Sequence, residues 1–527
     1  MKGIKILCFI LCFVLIAGCA DKTQQTSGEN ELITDPESVY SKLGEDTLWL
    51  SVWEFDTFNP VCTKSSSVAD CSFLVYDPLF APEKDMKMRP VLAKSYSVSE
   101  NGRRYIVKLN RDFKFHDGTE FGARDVLYTV NTLKDLGFKS LYYENISNIE
   151  SVDAIDDETV VFNLYAAESL FTNNLCFPIV KKGTSLEEAI KEPIGTGPYK
   201  FVPSSLVHAM YFEANDDYAA GKPQIKNAVV KILPEKQMQM YALQARQTDA
   251  ARVTSQELEN YNPKGGVNTI YYNNRHLTYL GINTKDDFLG YSAVRRSISE
   301  AVNRADIVNS VLFGKGEPSL LPFPKESYMC PEKYKTPERD IVNAVAMLDE
   351  AGFLAADDGM RSLTKADGEV VKAEFSILVN SENEQRVAVA KKVCEALYQI
   401  GIKAKTVKTD FETYKLRISE GEYDMYVGEV KMDMSYMTTA LVGSNAYYSI
   451  YSSKGLDDAI YKTVSAVGEE KTANAYGELS ERLMEEMPIV ALYFGRDAMI
   501  TSSKLDCGGY AISGAEFSGL AKWKKEN

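Results

Sequence analysis

Three side chains in this sequence have the chemistry of a neutral-pH base or an imidazole metal ligand: His116, His208 and His276. They are widely spaced and share no pattern. No His-Glu-x-x-His pair, no Gly-x-Ser-x-Gly elbow and no P-loop is present, and Gly195-x-Gly197 lacks the third glycine of a dinucleotide-binding turn and leads into a strand. A multi-histidine metal centre is not indicated, and a nucleophilic triad would need chance proximity. His116, in His116-Asp117-Gly118, reads as a turn-capping residue. Carboxylates are abundant but lack a spacing signature. The chain is therefore expected not to be an enzyme and to carry no cofactor.

Covalent chemistry is indicated at one place. A charged start with Lys2 and Lys5, an apolar run from Ile6 to Ala17 and then Gly18-Cys19 form an export signal. The run is too short to span a bilayer comfortably. Leu15-Ile16-Ala17-Gly18-Cys19 resembles the bacterial lipobox, which implies cleavage before Cys19 and lipidation of its thiol. Residues 21–30 are polar and cannot bury enough surface to fold, so they read as a tether. The expected location is extracytoplasmic, on the cell membrane through the lipid at Cys19. With 59 Lys plus Arg against 74 Asp plus Glu, the net charge is −15, and it becomes more negative once Lys2 and Lys5 leave. Such a chain is a poor nucleic-acid binder. Cys8 and Cys12 leave with the signal, so Cys62, Cys71, Cys176, Cys330, Cys394 and Cys507 remain; disulfides are permitted outside the membrane, Cys62 and Cys71 being the nearest pair.

Strands and helices alternate along the remaining chain, which favours α/β organisation. Strands are expected over 47–53, 104–109 with a continuation at 113–115, 159–164 and 228–233. Helices are expected over 123–136 after a Gly122 N-cap, over 292–303, over 341–351 before Gly352, and over 383–400 before Gly401. The last helix carries Val387, Ala390, Cys394 and Leu397 along one stripe.

Several blocks occur together. Leu92-Ala93-Lys94-Ser95-Tyr96, Phe113-Lys114-Phe115-His116-Asp117-Gly118-Thr119, Gly195-Thr196-Gly197-Pro198-Tyr199, Asn215-Asp216-Asp217-Tyr218, Ala301-Val302-Asn303-Arg304 and Pro488-Ile489-Val490-Ala491-Leu492-Tyr493 lie in order along the chain. In this order they resemble the family 5 extracellular solute-binding proteins, the oligopeptide-, dipeptide- and nickel-binding components of ABC importers. The resemblance implies an α/β, two-lobed periplasmic-binding-protein-like fold of type II, cluster C, with an extra inserted domain. It implies a signal peptide over 1–18, the lipidated Cys and linker over 19–43, domain I over 44–75, 194–279 and 490–527, domain II over 76–193 and domain III over 280–489. A hinge is expected near residues 279–283 and 487–491.

The resemblance also implies ligand residues. Asp433, spaced from Tyr423-Asp424, stands where the family's ammonium-binding aspartate is found. The Gly-Trp pair usual before it is replaced by Glu429-Val430; Glu429 either faces the ligand, pairs with Lys431 or points away. Ser65, Ser66 and Ser67 resemble the segment whose backbone approaches peptides, and Trp53 and Tyr436 are candidate aromatic walls. The implied function is a monomeric, lipid-anchored receptor that closes on a peptide and delivers it to permease subunits driven by separate ATPases. Scarce histidine argues against direct nickel binding. A peptide-signal sensor, or a receptor for a basic compound or metal chelate, is the alternative.

Overall fold

The computed structural model describes residues 43–526 apart from 186–191, 205, 259–264, 437, 445 and 448. The expected signal peptide, Cys19 and the tether up to residue 42 lie outside the described residues.

Two long strands, Val267–Ile282 and Ile489–Ser502, run antiparallel and set the plan of the molecule. Their two ends belong to different cores. Tyr272 and Met499 pack into a core drawn from residues 48–230 and the C-terminal tail. Leu280, Ile282, Val490 and Leu492 pack into a second core drawn from residues 280–493. Two separately packed interiors joined by a strand pair make a two-lobed molecule.

The first lobe holds two four-stranded sheets. In one, Thr47–Trp53 pairs in parallel with Asn227–Leu233, followed by Ala209–Ala214 and Tyr199–Val202. The other, within residues 76–193, is wholly antiparallel, in the order Ala93–Val98, Arg104–Leu109, Thr159–Leu164, Ile149–Ala154. The alternation read in the sequence is real here: Tyr105, Val107 and Leu109 are buried, while Arg104 and Lys108 face water. The strand does not continue to Phe115, because Lys114 makes only an isolated bridge to Glu120. Helix Ala123–Leu136 begins after Gly122, whose backbone N–H donates to Asp125 Oδ2 at 2.9 Å, and buries Val126, Val130 and Leu133. Gly195 is required by close approach, since a Cβ there would lie 2.0 Å from the Val75 carbonyl oxygen.

The second lobe is built on the far halves of the long strands. Val267–Ile282 pairs with Met425–Lys431, which continues in parallel to Glu374–Asn380 and Lys403–Thr409. Helix Glu384–Tyr398 is the crossover between the last two, with Asn383 accepting a hydrogen bond from the Arg386 N–H at its start. Val387, Ala390 and Leu397 face inward, and Cys394 is half-buried. The helix expected over 292–303 is present as Ser292–Ala301, two residues shorter, and a further helix, Arg304–Val311, follows it directly. Asn303 caps the second by accepting from the Asp306 N–H, which ends the first. The six described cysteines are free thiols, so the Cys62–Cys71 pair is not a disulfide.

His116 ties the Gly195–Gly197 turn to the antiparallel sheet of the first lobe. Its Nε2 lies 3.0 Å from the Gly197 carbonyl, and the Gly195 N–H donates to Nδ1 at 3.4 Å. Burial pushes its pKa down to about 4 from the ordinary 6.5, although the Gly197 contact works the other way. The neutral ring is thus favoured by folding. Its contribution is complete above pH 6.5 and is lost progressively as pH falls towards 4, an effect on the order of 3 kcal/mol. A His116→Gln variant is expected to show a shallower fall in melting temperature across that window than the parent. Parallel profiles in scanning calorimetry would contradict this.

Candidate ligand cleft

The two core-facing halves of the long strands are interrupted by polar residues. On one strand these are Asn273-Asn274-Arg275-His276, and on the other Gly495-Arg496-Asp497. The pairing register slips between Asn273 and Leu277, and Arg275 has φ +67°, so the break is a bulge between the lobes. Asn274 Nδ2 donates to Asp497 Oδ1 at 2.9 Å. Gly495 leaves room for this, since a Cβ there would meet the Asn274 side chain at 2.8 Å. Arg275, His276 and Asp497 form the floor of a cleft of about 1030 Å³ whose walls come from both lobes.

The first-lobe wall starts at the end of strand Thr47–Trp53. Ser65 Oγ donates to the Trp53 carbonyl at 2.8 Å, and the Trp53 N–H donates to Ser67 Oγ at 3.0 Å. These two serines are spent on the Trp53 backbone. Ser66 lines the cleft, and the Trp53 ring lies at a small recess beside it, with Lys236 Nζ 5.5 Å from the ring centre. Deeper in the wall, Arg252 Nε donates to Asp70 Oδ2 at 2.8 Å, with both side chains mostly buried. Glu516, also buried, adds a second carboxylate whose Oε2 accepts from the Gly514 N–H at 3.1 Å. Burial raises the pKa of both Asp70 and Glu516 despite the Arg252 charge. One guanidinium does not fully offset two buried carboxylates.

The second-lobe wall carries Glu429. Its Oε1 lies 3.2 Å from His276 Nδ1 and 3.3 Å from an Arg386 nitrogen. Burial pushes its carboxyl up, but these partners outweigh it and hold it below the ordinary value. Glu429 therefore does not pair with Lys431, which instead reaches Glu144 of the first lobe at 3.3 Å. The remaining predicted residues lie off this cleft. Tyr436 is buried with φ +48° and lines a neighbouring cavity of about 210 Å³. Asp433 is half-buried between Met432 and Met434 and lines neither cavity; its charge helps raise the pKa of Glu168, for which burial is the larger cause. Glu168 accepts from Asn148 at 2.8 Å, from Asn174 at 2.6 Å and from Ser435, which joins the 432–436 segment to the first lobe.

The fold thus brings Ser66 and Glu429 to one cleft, with Trp53 and Ser67 at its edge. It sets Ser65 behind Trp53, and Tyr436 and Asp433 to one side. Reading the sequence did not pick out Asp70, Arg252, Arg275, Arg386 or Glu516. The four polar residues interrupting a strand-like run at 273–276 were a usable signal for Arg275. The other four meet only through tertiary packing.

Comparison with known proteins agrees with this geometry. The profile of the bacterial extracellular solute-binding proteins, family 5 middle, matches residues 87–454. The oligopeptide-binding protein AppA of Bacillus subtilis is 25% identical over 521 residues, covering 94% of this chain and 93% of its own. Among solved structures, the periplasmic murein tripeptide binding protein MppA in its unliganded open form superposes with a TM-score of 0.75 at 17% identity, over 91% of this chain and 97% of its own. HbpA2 from Haemophilus parasuis gives 0.72 at 21% identity, over 91% and 100%. The shared fold is the two-lobed α/β binding-protein fold.

The buried triad supplies a stability test. Arg252→Met leaves Asp70 and Glu516 without their cation and is expected to cost about 3 kcal/mol in urea denaturation at pH 8. The cost should shrink as the pH is lowered, because burial raises the pKa of both acids and they take up protons sooner than exposed carboxylates do. Asp70→Asn, which leaves Glu516 to hold Arg252, should cost less at every pH. Equal losses for the two variants would show that the second carboxylate contributes nothing.

Proposed function

Because this chain belongs to the bacterial extracellular solute-binding proteins of family 5, we propose that it is the extracytoplasmic receptor of an ABC importer and that its cargo is peptides. The observation that carries this reading is a cleft of about 1030 Å³ enclosed by two separately packed lobes that are joined at its floor by two strands. That volume is at the top of the range for sites holding drug-sized molecules, and so suits a short peptide better than a bare ion. Lys236, Lys315 and Lys431 line it together with Glu382, Glu384 and Asp497, a mixed lining suited to a zwitterion with a polar backbone. The register slip at residues 273–277 is the natural pivot for closing one lobe on the other.

In this reading Asp433, which lies to one side of the cleft, meets the α-ammonium of the peptide once the lobes close on it; the support is its spacing from Tyr423-Asp424, which resembles that of the family's ammonium-binding aspartate. Trp53 is an aromatic wall positioned by Ser65 and Ser67, and Ser66 offers its hydroxyl to the ligand backbone. Glu429, already shared by His276 and Arg386, orients the floor rather than pairing with cargo. The acid excess at Asp70 and Glu516 favours cargo with an additional basic group, which keeps the basic-compound alternative open to the same experiments. Lipidation of Cys19 and docking to permease subunits with separate ATPases complete the proposal, and support for the lipid rests on residues 15–19.

Native mass spectrometry of the purified protein is expected to reveal co-purifying peptides. Tripeptides acetylated at the amine, and Asp433→Asn with free-amine tripeptides, should each lose roughly 30-fold or more in affinity by calorimetry. Equal binding of acetylated and free forms would remove Asp433 from the site. Cys19→Ala is expected to shift the protein from the membrane fraction to the soluble extracytoplasmic fraction.

A further inference from the structure

The smaller cavity beside the cleft, of about 210 Å³, differs from it in character: the cleft presents mostly polar surface and the cavity mostly apolar surface. Met86, Pro324, Met434, Tyr436 and Ile512 form its body. Tyr271 and Tyr510 also line it and are 47% and 39% exposed, so apolar surface is left open to water there. The charges around it are spent or solvated. Glu317 is held by Arg496 at 2.9 Å and Lys325 at 3.4 Å, and Lys84 and Glu326 are exposed. For scale, an apolar cavity of about 150 Å³ holds benzene.

Arg275 and Ser513 line both spaces and stand between them. Neither is firmly held. Arg275 donates one side-chain hydrogen bond, to the Met432 carbonyl at 3.3 Å, and makes no ion pair among the described residues. Ser513 ends a stretch, 510–513, in which no backbone N–H donates to a described residue, and its hydroxyl has no partner among them. Gly509 and Gly514 bracket that stretch with φ +71° and +83°. A Cβ on Gly514 would lie 3.6 Å from the Met434 sulfur, so this first-lobe segment reaches the second lobe. Segments with so few hydrogen bonds open at low cost. Met86 and Met434 add adaptability, since unbranched thioethers repack around apolar groups of different shape.

We propose that residues 509–514 form a strap that gives way to cargo, and that the cavity behind it receives an uncharged apolar or aromatic side chain, seated against Met86, Met434 and Tyr436. It deepens the reading of the cleft as a peptide site and rests on it. The consequence is for selectivity. Apolar side chains of different shape are accepted, and a charged one of similar length is refused, because it would lose water and gain no partner in the apolar body.

The test uses the full mature chain with ¹³C-methyl methionine. Alanine tripeptides with norleucine at the first, second or third position are compared with trialanine, and with lysine at the same position, by calorimetry and NMR. At one position norleucine is expected to bind at least 10-fold tighter than either alanine or lysine and to shift the Met86 and Met434 methyl resonances. Phenylalanine there should keep the gain. Met434→Glu should abolish it and Met434→Leu should retain it. Hydrogen exchange at residues 510–513 should be fast in the free protein and at least 10-fold slower with the norleucine peptide than with trialanine; protected amides in the free protein would remove the strap. Lysine bound as tightly as norleucine, or a gain that leaves Met86 and Met434 unmoved, would overturn the subsite whether or not the variants fold. If trialanine binds and norleucine brings no gain at any position, the subsite fails and the peptide reading stands. Toluene is titrated alone, against benzylammonium. If it shifts Met86 and Met434 at 10-fold lower concentration than the ammonium while no tripeptide binds, the peptide reading fails and the apolar site stands; if it shifts neither and no tripeptide binds, both fail.

Discussion

The antiparallel pairing of Val267–Ile282 with Ile489–Ser502 is the contact on which the remaining structure depends. Each strand is buried at one end in the first core and at the other in the second, so neither lobe can be placed without it. A strand pair that crosses from one interior to another must pass through a stretch with no core on either side. There the chain places Asn, Arg, His, Gly and Asp in place of apolar residues, and the ladder slips. The bulge that results aims polar side chains into the space between the lobes. Gly495 and the positive φ of Arg275 are local costs of that arrangement.

The cleft walls follow a second constraint, the cost of holding charge away from water. Glu429 is kept ionised by two partners on neighbouring elements. Asp70 and Glu516 share one arginine and are pushed towards their protonated forms. Around the smaller cavity, Tyr272, Asn273, Arg275 and Glu317 each keep a buried polar atom without a hydrogen-bond partner among the described residues. A receptor interior that satisfied every such group internally would have little reason to prefer a ligand. Unfinished hydrogen bonding and partial charge compensation are what give an incoming molecule a differential advantage, since desolvated polar groups gain most from the partner that completes them.

The periodicity of the chain was informative wherever an element packs one face on a core. Strand Thr47–Trp53, strand Thr159–Leu164 and helix Ala123–Leu136 fall where the sequence places them, because burial pattern and local capping agree there. The reading was less good where a polar residue changes role. Asn303 ends one helix by starting another, and two nearby cysteines stay reduced. Of the residues named from the sequence as ligand contacts, Ser66 and Glu429 line the cleft and Trp53 a recess beside it, whereas Asp433 and Tyr436 lie to one side. The partners of Glu429 were not legible: Lys431 is near in sequence, but in a strand adjacent residues point to opposite faces, and Arg386 and His276 arrive from other elements.

The sequence by itself determined the family, the alternation of elements and the acidic balance, because each is carried by local composition or by residues at short fixed spacing. Only the tertiary structure decided which charges meet. The Arg252–Asp70 pair spans most of the first lobe in sequence, Arg386 reaches Glu429 across a βαβ crossover, and the donors at residues 272–275 acquire a pocket only when residues near 86, 324, 434 and 512 close around them. Such contacts depend on packing between distant segments, and no periodicity of the chain encodes them.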